Sequence, residues 1–207
     1  MSNQVFKNPI AIVLALAIIG GGLYYGYERF FKMTVKACEE FDLAAVANPE
    51  DTLFMEVSNG GCLLIETYPA KAPNHVARFK ELTREGFYDG IVFHRVIDGF
   101  MAQTGDPTGT GSGGSGQNID AEFNDVAHVR GTVSTARSEN PNSADSQFFI
   151  MFGTSPHLDG QYTAWGKVID GMETVDAITK GPAEQNGSVP PDQQDKIVSL
   201  KVVADIK

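Results

Sequence analysis

The chain is divided by turn-forming residues into many short runs of β-forming residues, and this pattern restricts the fold more than any other feature. Within residues 51–207, two segments, 73–86 and about 172–180, are predicted to form helices. Many short strands with two helices favour a mainly β domain, built as a small closed antiparallel barrel that the helices cap. We expect strands at 52–58, 62–68, 91–97, 100–103, 131–135, 147–152, 163–169 and 196–206.

Local signals mark the first hairpin and the first helix. Asn59-Gly60 separates the first two strand-like runs, and both residue types tolerate the positive φ of a tight hairpin turn. Pro73 suits the first turn of a helix, and Gly86 suits its end. Between them lies one apolar stripe, formed by Val76, Phe79 and Leu82.

Residues 9–27 form an uncharged apolar run behind a short tail at 1–8. The run is close to the ~20 residues that a helix needs to cross a bilayer, and Tyr24, Tyr25 and Tyr27 suit an interfacial aromatic belt. A signal peptide is usually shorter and ends at a small-residue cleavage site, and a soluble helix would keep a polar face. We therefore predict one N-terminal transmembrane helix that anchors the chain in a membrane.

Residues 28–50 link this run to the domain. Apolar residues recur at helical spacing as far as residue 46, so we expect an amphipathic helix that ends at Asn48-Pro49. The only two cysteines are Cys38 in this linker and Cys62 in the domain. They could form one disulfide or remain two thiols, and neither has the spacing of a zinc ligand.

Several classes of function lack support. The formal charge of −10 argues against a nucleic-acid partner, which needs clustered Lys and Arg. Residues 111–116 fit G-x-G-x-x-G literally, but no strand precedes them and no helix follows, so we expect a surface loop and no nucleotide. The four histidines show no metal-binding spacing, and no G-x-S-x-G elbow supports a Ser-His-Asp hydrolase.

Three ordered motifs carry the positive signal. Residues 93–106 begin Phe-His-Arg and continue through Phe100, Met101 and Gln103 to Gly-Asp; residues 146–150 read Ser-Gln-Phe-Phe-Ile; residues 158–168 run from Leu-Asp-Gly to Gly-Lys-Val. They place one arginine, two glutamines and large apolar side chains on short strands, a set that can hold a proline. In these motifs the chain resembles the cyclophilin peptidyl-prolyl isomerases over residues 51–207.

The resemblance implies an eight-stranded barrel and isomerisation of Xaa-Pro bonds. Resonance gives the peptide bond a rotation barrier of about 18–20 kcal/mol. Because no bond is broken, the reaction requires no cofactor and no metal. A roughly 10⁴-fold acceleration asks the site for only about 5.5 kcal/mol.

The resemblance also assigns roles to individual residues. Arg95 would donate to the prolyl nitrogen in the twisted state, Gln103 would hold Arg95 or a substrate carbonyl, and Gln147 would make a neighbouring polar contact. Ala136 and Arg137 would bind the substrate backbone through their main chain, although the family usually has Asn at the second position. The apolar pocket for the proline ring would comprise Phe100, Met101, Phe149 and Leu158.

Two residues depart from the family pattern. His157 stands where many relatives have a tryptophan that often contacts cyclosporin, and Tyr162 stands where many have histidine. We therefore expect isomerase activity with weak cyclosporin binding, and we assign both residues to the substrate site. Trp165 does not replace the missing indole, because its place before Gly166 predicts a core residue.

The expected partners are unfolded or proline-containing polypeptides. Charges flanking the apolar run lean slightly toward a cytoplasmic domain, whereas the bacterial relatives that the domain resembles are commonly exported. We expect a single-pass protein of the bacterial inner membrane with a periplasmic domain. The alternative function is a proline-peptide binding module or holdase without turnover.

Overall fold

The computed structural model describes residues 35–207 and contains one sheet of eight strands. The order across the sheet is β3-β4-β6-β5-β7-β2-β1-β8, and every neighbouring pair is antiparallel. This confirms a mainly β, antiparallel domain. The strands are β1 (Thr52–Val57), β2 (Cys62–Thr67), β3 (Arg95–Ile97), β4 (Met101–Thr104), β5 (Thr132–Thr135), β6 (Phe148–Met151), β7 (Ala164–Asp170) and β8 (Ile197–Val202).

The two predicted helices are present. Helix α1 (Pro73–Arg84) has the proline in its first turn, and the chain leaves it through Gly86 at φ 70°. Helix α2 is shorter than predicted, at Met172–Asp176. The predicted hairpin joins β1 to β2, with Gly60 at φ 89° in its turn.

The prediction of a closed barrel is wrong, because no ladder joins β3 to β8. The chain before β3 contacts β8 through an isolated bridge between Val92 and Lys196 and through Ile197, which accepts from the Gly90 amide and donates to the Ile91 carbonyl. The free edge of β3 is already occupied: the Val96 amide donates to the carbonyl of Gly187, and the Val96 carbonyl accepts from Gly181. Since this loop takes the backbone groups that β8 would need, the sheet stays open at that point.

The main core lies between the sheet and α1. Phe79 of α1 stacks on Trp165 of β7 with ring centroids 4.3 Å apart, and Phe148 of β6 meets both rings edge-on at 5.7 Å. Trp165 is fully buried, which confirms its prediction as a core residue. Aromatic burial of this size is a dominant stabilising contribution in a small domain.

The described part of the linker is not one continuous helix. It forms three short 3₁₀ helices, at Cys38–Glu40, Leu43–Ala45 and Pro49–Asp51. The segment is held against β2 by a Cys38–Cys62 disulfide and by a hydrogen bond from the Cys62 amide to the carbonyl of Lys36. These attachments keep the segment extended between its turns, because a straight helix would move it away from the strand.

Within residues 35–207 no helix is both long enough and apolar enough to cross a bilayer. The run at 9–27, on which the predicted anchor depends, lies outside the described residues, as does the beginning of the linker.

Candidate active site

A row of polar side chains crosses β3, β4 and β6. The register pairs Arg95 with Gln103, and Nη1 of Arg95 donates to Oε1 of Gln103 at 3.2 Å. Nε2 of Gln103 donates to Oε1 of Gln147 at 2.9 Å. Nε2 of Gln147 in turn donates to the carbonyls of Gly111 and Gly113. The predicted contact between Gln103 and Arg95 is confirmed, and the row fixes the guanidinium from one side.

Arg95 is fixed from its other side by Asn186. Its Nε donates to the Asn186 carbonyl and its Nη2 to Oδ1, both at 3.1 Å. No carboxylate within residues 35–207 forms an ion pair with Arg95. Burial lowers the pKa of Arg95, but a guanidinium remains protonated at neutral pH. The site therefore holds a positive charge with neutral acceptors, unlike an ordinary surface ion pair.

Sequence reasoning missed Asn186. Its backbone is left-handed, with φ 53°, and no other non-glycine residue within 35–207 has a positive φ. The signal was present in the Asn186-Gly187 dipeptide, which is typical of a tight turn. This turn both occupies the edge of β3 and positions two acceptors for Arg95.

An apolar wall lines the same groove as the Arg95 guanidinium. Met101, Phe149 and Leu158 are buried in a cluster of their own, separate from the main core, and Phe100 packs at its rim. The His157 ring lies over Phe100 with centroids 6.1 Å apart. The strand alternation of β6 sends Phe149 to this cluster and its neighbours Phe148 and Ile150 to the core.

The structure brings the predicted site residues together. Ten of them line one groove of about 900 Å³, and Gln147 lines an adjoining cavity of about 430 Å³. Such a volume suits a peptide side chain with its flanking backbone. The ten are Arg95, Phe100, Met101, Gln103, Ala136, Arg137, Phe149, His157, Leu158 and Tyr162.

The chain after β5 offers free backbone groups to this groove. The Ala136 amide donates to the Gln147 carbonyl at 2.9 Å, but within residues 35–207 neither the Ala136 carbonyl nor the Arg137 amide has a hydrogen-bond partner. The side chain of Arg137 lies over the Tyr162 ring, 4.6 Å from its centroid. One carbonyl and one amide are thus available to an extended peptide.

The glycine-rich loop forms a wall of the groove and of the adjoining cavity. The carboxylate of Asp106 organises the loop by accepting from the amides of Thr108, Thr110 and Gly111 and from the Thr108 hydroxyl. Burial alone would raise the pKa of Asp106, but these hydrogen bonds outweigh it and lower the pKa to about 2. The backbone amides serve an internal carboxylate and are not directed at a phosphate.

A Ser-His-Asp arrangement does occur, but it cannot serve a hydrolase. Nε2 of His128 lies 3.0 Å from Oγ of Ser134, and its Nδ1 lies 2.9 Å from Oδ1 of Asp159. Ser134 is fully buried, and its hydroxyl donates to the Thr163 carbonyl. A nucleophile needs access to substrate, so these residues join β5 to the loop that carries Leu158.

The region that contains the groove is similar in sequence to known proteins. Residues 52–202 match the family described as cyclophilin type peptidyl-prolyl cis-trans isomerase/CLD. A probable peptidyl-prolyl cis-trans isomerase of Brucella abortus is 49% identical over 176 residues, which cover 79% of this chain and 88% of that protein. The peptidyl-prolyl cis-trans isomerase-like 3 of Homo sapiens is 45% identical over 130 residues, covering 60% of this chain and 80% of that one.

Two crystal structures are similar in fold. A cyclophilin from Hirschia baltica superposes with a TM-score of 0.67 at 30% identity, covering 77% of this chain and 76% of that one. A cyclophilin-type isomerase of Cryptosporidium parvum, crystallised in the presence of the dipeptide Ala-Pro, gives 0.66 at 34%, covering 73% and 98%. The family match at 52–202 contains every residue that lines the groove.

Proposed function

The chain belongs to the cyclophilin-type peptidyl-prolyl cis-trans isomerases, and we propose that it catalyses rotation of Xaa-Pro bonds through Arg95, as a membrane-tethered folding catalyst. It is an enzyme whose substrates are proline-containing polypeptides. The observation that carries the role of Arg95 is its charge, held at the groove by Gln103 and Asn186 without a carboxylate partner in residues 35–207.

The proposed mechanism uses the two sides of the groove differently. The proline ring occupies the apolar wall of Met101, Phe149 and Leu158, while the backbone beside it pairs with the free groups of Ala136 and Arg137. As the peptide bond twists, its nitrogen loses resonance and gains a basic lone pair. Arg95 donates a hydrogen bond that is strong only in this state, and such a differential interaction is what lowers the barrier.

The role of Arg95 is tested by proline-switch kinetics on the full-length chain and its Arg95→Ala variant. We expect kcat/KM to fall by about 100- to 1000-fold, the usual effect of removing one well-placed donor. Arg84→Ala is the matched control, because Arg84 is an exposed arginine on α1 that pairs with Glu50 and Asp205 outside the groove. Peptide binding without acceleration by the parent would instead favour the binding module or holdase.

The membrane tether and the periplasmic location are parts of the same proposal. The apolar run at 9–27 supports the tether, and the Cys38–Cys62 disulfide supports an oxidising compartment. Extraction of bacterial membranes with alkaline carbonate should leave the chain in the pellet. A C-terminal reporter that works only in the periplasm should be active in this fusion. Activity of a reporter that works only in the cytoplasm would instead indicate that the domain faces the cytoplasm.

A further inference from the structure

The charged side chains that line the groove are all basic. They are Arg95 and Arg137, and the lining includes no aspartate or glutamate. The chain as a whole has 26 acidic residues against 16 Lys and Arg, for a formal charge of −10. A cleft lined by positive charge, in a chain that is negative overall, raises the local concentration of negatively charged ligands.

Arg137 contributes a charge that nothing nearby neutralises. Its Nε and Nη2 donate to the Gln161 carbonyl, and its Nη1 donates to the carbonyls of Ser138 and Glu139. All three acceptors are neutral, and Arg137 forms no ion pair within residues 35–207. Four contacts use four of the five guanidinium N–H groups, so one on Nη2 remains for a ligand.

The adjoining cavity, which Arg137 also lines, has one acidic lining residue, Asp145, and its carboxylate is already engaged. The carboxylate of Asp145 accepts from the amide and hydroxyl of Ser115 and from the amide of Gly116. It pairs with no arginine in the described part of the chain. The positive charge of Arg137 is therefore directed at whatever occupies the groove.

The two arginines differ in their surroundings. Arg95 is held by the polar row and by Asn186, beside the apolar wall that seats the proline. Arg137 lies over the Tyr162 ring, next to the backbone groups that would hold the flanking chain. Arg95 thus serves the reacting bond, whereas Arg137 can reach a side chain of a neighbouring residue.

We propose that the groove selects Xaa-Pro segments bearing a glutamate or aspartate within about two residues of the proline, a span of roughly 7 Å, and that Arg137 determines this specificity. The proposal rests on the proposed isomerase function and adds its substrate class.

The test compares kcat/KM of the full-length protein for matched peptides. Glutamate, glutamine or lysine stands two residues before or two residues after the proline, with the rest of the peptide unchanged. We expect the glutamate peptide to exceed the glutamine peptide about five- to tenfold on at least one side, and the lysine peptide to fall below it. The ratio should shrink in 0.5 M salt, because ionic screening weakens the attraction.

Variants assign the effect to Arg137. Arg137→Gln should bring the glutamate-to-glutamine ratio near one, and Arg137→Lys should retain most of it. Arg130→Gln should leave it unchanged, since Arg130 pairs with Asp176 outside the groove. Ratios near one in the parent, or a ratio that survives Arg137→Gln in a protein with normal thermal unfolding, would overturn the proposal. Acceleration of none of the peptides would instead overturn the proposed function.

Discussion

The two faces of β6 show how one strand serves both stability and binding. Phe148 is fully buried in the main core, edge-on to Phe79 and Trp165. Phe149, the next residue, lies in the groove cluster, 5.9 Å from the Tyr162 ring and 6.2 Å from the ring of His128. Because strand side chains alternate, two adjacent phenylalanines have different tasks. The same residue type therefore predicts different consequences when it is truncated.

The largest effect should come from Phe148→Ala. Truncating a fully packed core phenylalanine lowers the free energy of unfolding by about 3–5 kcal/mol. Phe149→Ala should cost less than half of this, because its cavity opens into the groove, but it should raise KM more than it lowers kcat. Urea unfolding and proline-switch kinetics on both variants measure the two quantities. Equal losses of stability would remove the distinction between the faces.

The next effect concerns a region that belongs to neither face. The Cys38–Cys62 disulfide closes a loop with a sequence separation of 24, and such a loop contributes about 3 kcal/mol to stability. The double variant Cys38→Ala, Cys62→Ala should lose about that amount in urea unfolding. Its kcat/KM should be that of the parent, because neither cysteine lines the groove. A fall in activity of the folded variant would show that the linker influences the site.

Acid should act on the glycine-rich wall before it acts on the core. The hydrogen bonds lower the pKa of Asp106 from 3.8 to about 2. A carboxylate whose pKa is lowered in the folded state stabilises the fold at pH values above its ordinary pKa. This contribution, here at most about 2 kcal/mol, is lost as the pH falls from about 4 to 2. Unfolding measured across this range should show a larger loss in the parent than in Asp106→Asn, because Glu122 and other carboxylates with a lowered pKa remain in both proteins. Asp192→Asn, at an exposed site, should behave as the parent does.

Short β-forming runs, turn residues and helical spacing predicted the antiparallel strands and both helices, because these signals are local, whereas the resemblance to the cyclophilins predicted the residues of the groove. Neither predicted that Asn186 would hold Arg95, since this contact spans 91 residues. The open edge of β3 was not predicted for the same reason, because the turn that blocks this edge is distant along the chain. In the described part of the linker the predicted helix is absent, because apolar spacing does not reveal that Cys38 is bonded to Cys62 of β2. In each case the structure was determined by a contact between residues far apart in the sequence, which local patterns do not report.

The smallest expected effect concerns His157, at the rim of the groove. His157 is exposed on the rim, where its ring lies over Phe100. His157→Trp would add an indole where many family members have one, and covering roughly 60 Å² of apolar surface on a bound ligand contributes about 1.5 kcal/mol. We expect weak inhibition of the parent by cyclosporin and about tenfold tighter inhibition of the variant. Stability should change by less than about 0.5 kcal/mol.

Val198→Trp is the matched control, because Val198 is an exposed residue of β8 outside the groove. It adds the same indole to the surface, so it should leave the inhibition constant of cyclosporin unchanged. Submicromolar inhibition of the parent would contradict the role given to His157. Equal inhibition of the parent and His157→Trp would mean that the Phe100 rim does not contact the ligand. If inhibition becomes tighter in His157→Trp but not in Val198→Trp, the ligand contacts the groove on the Phe149 face of β6.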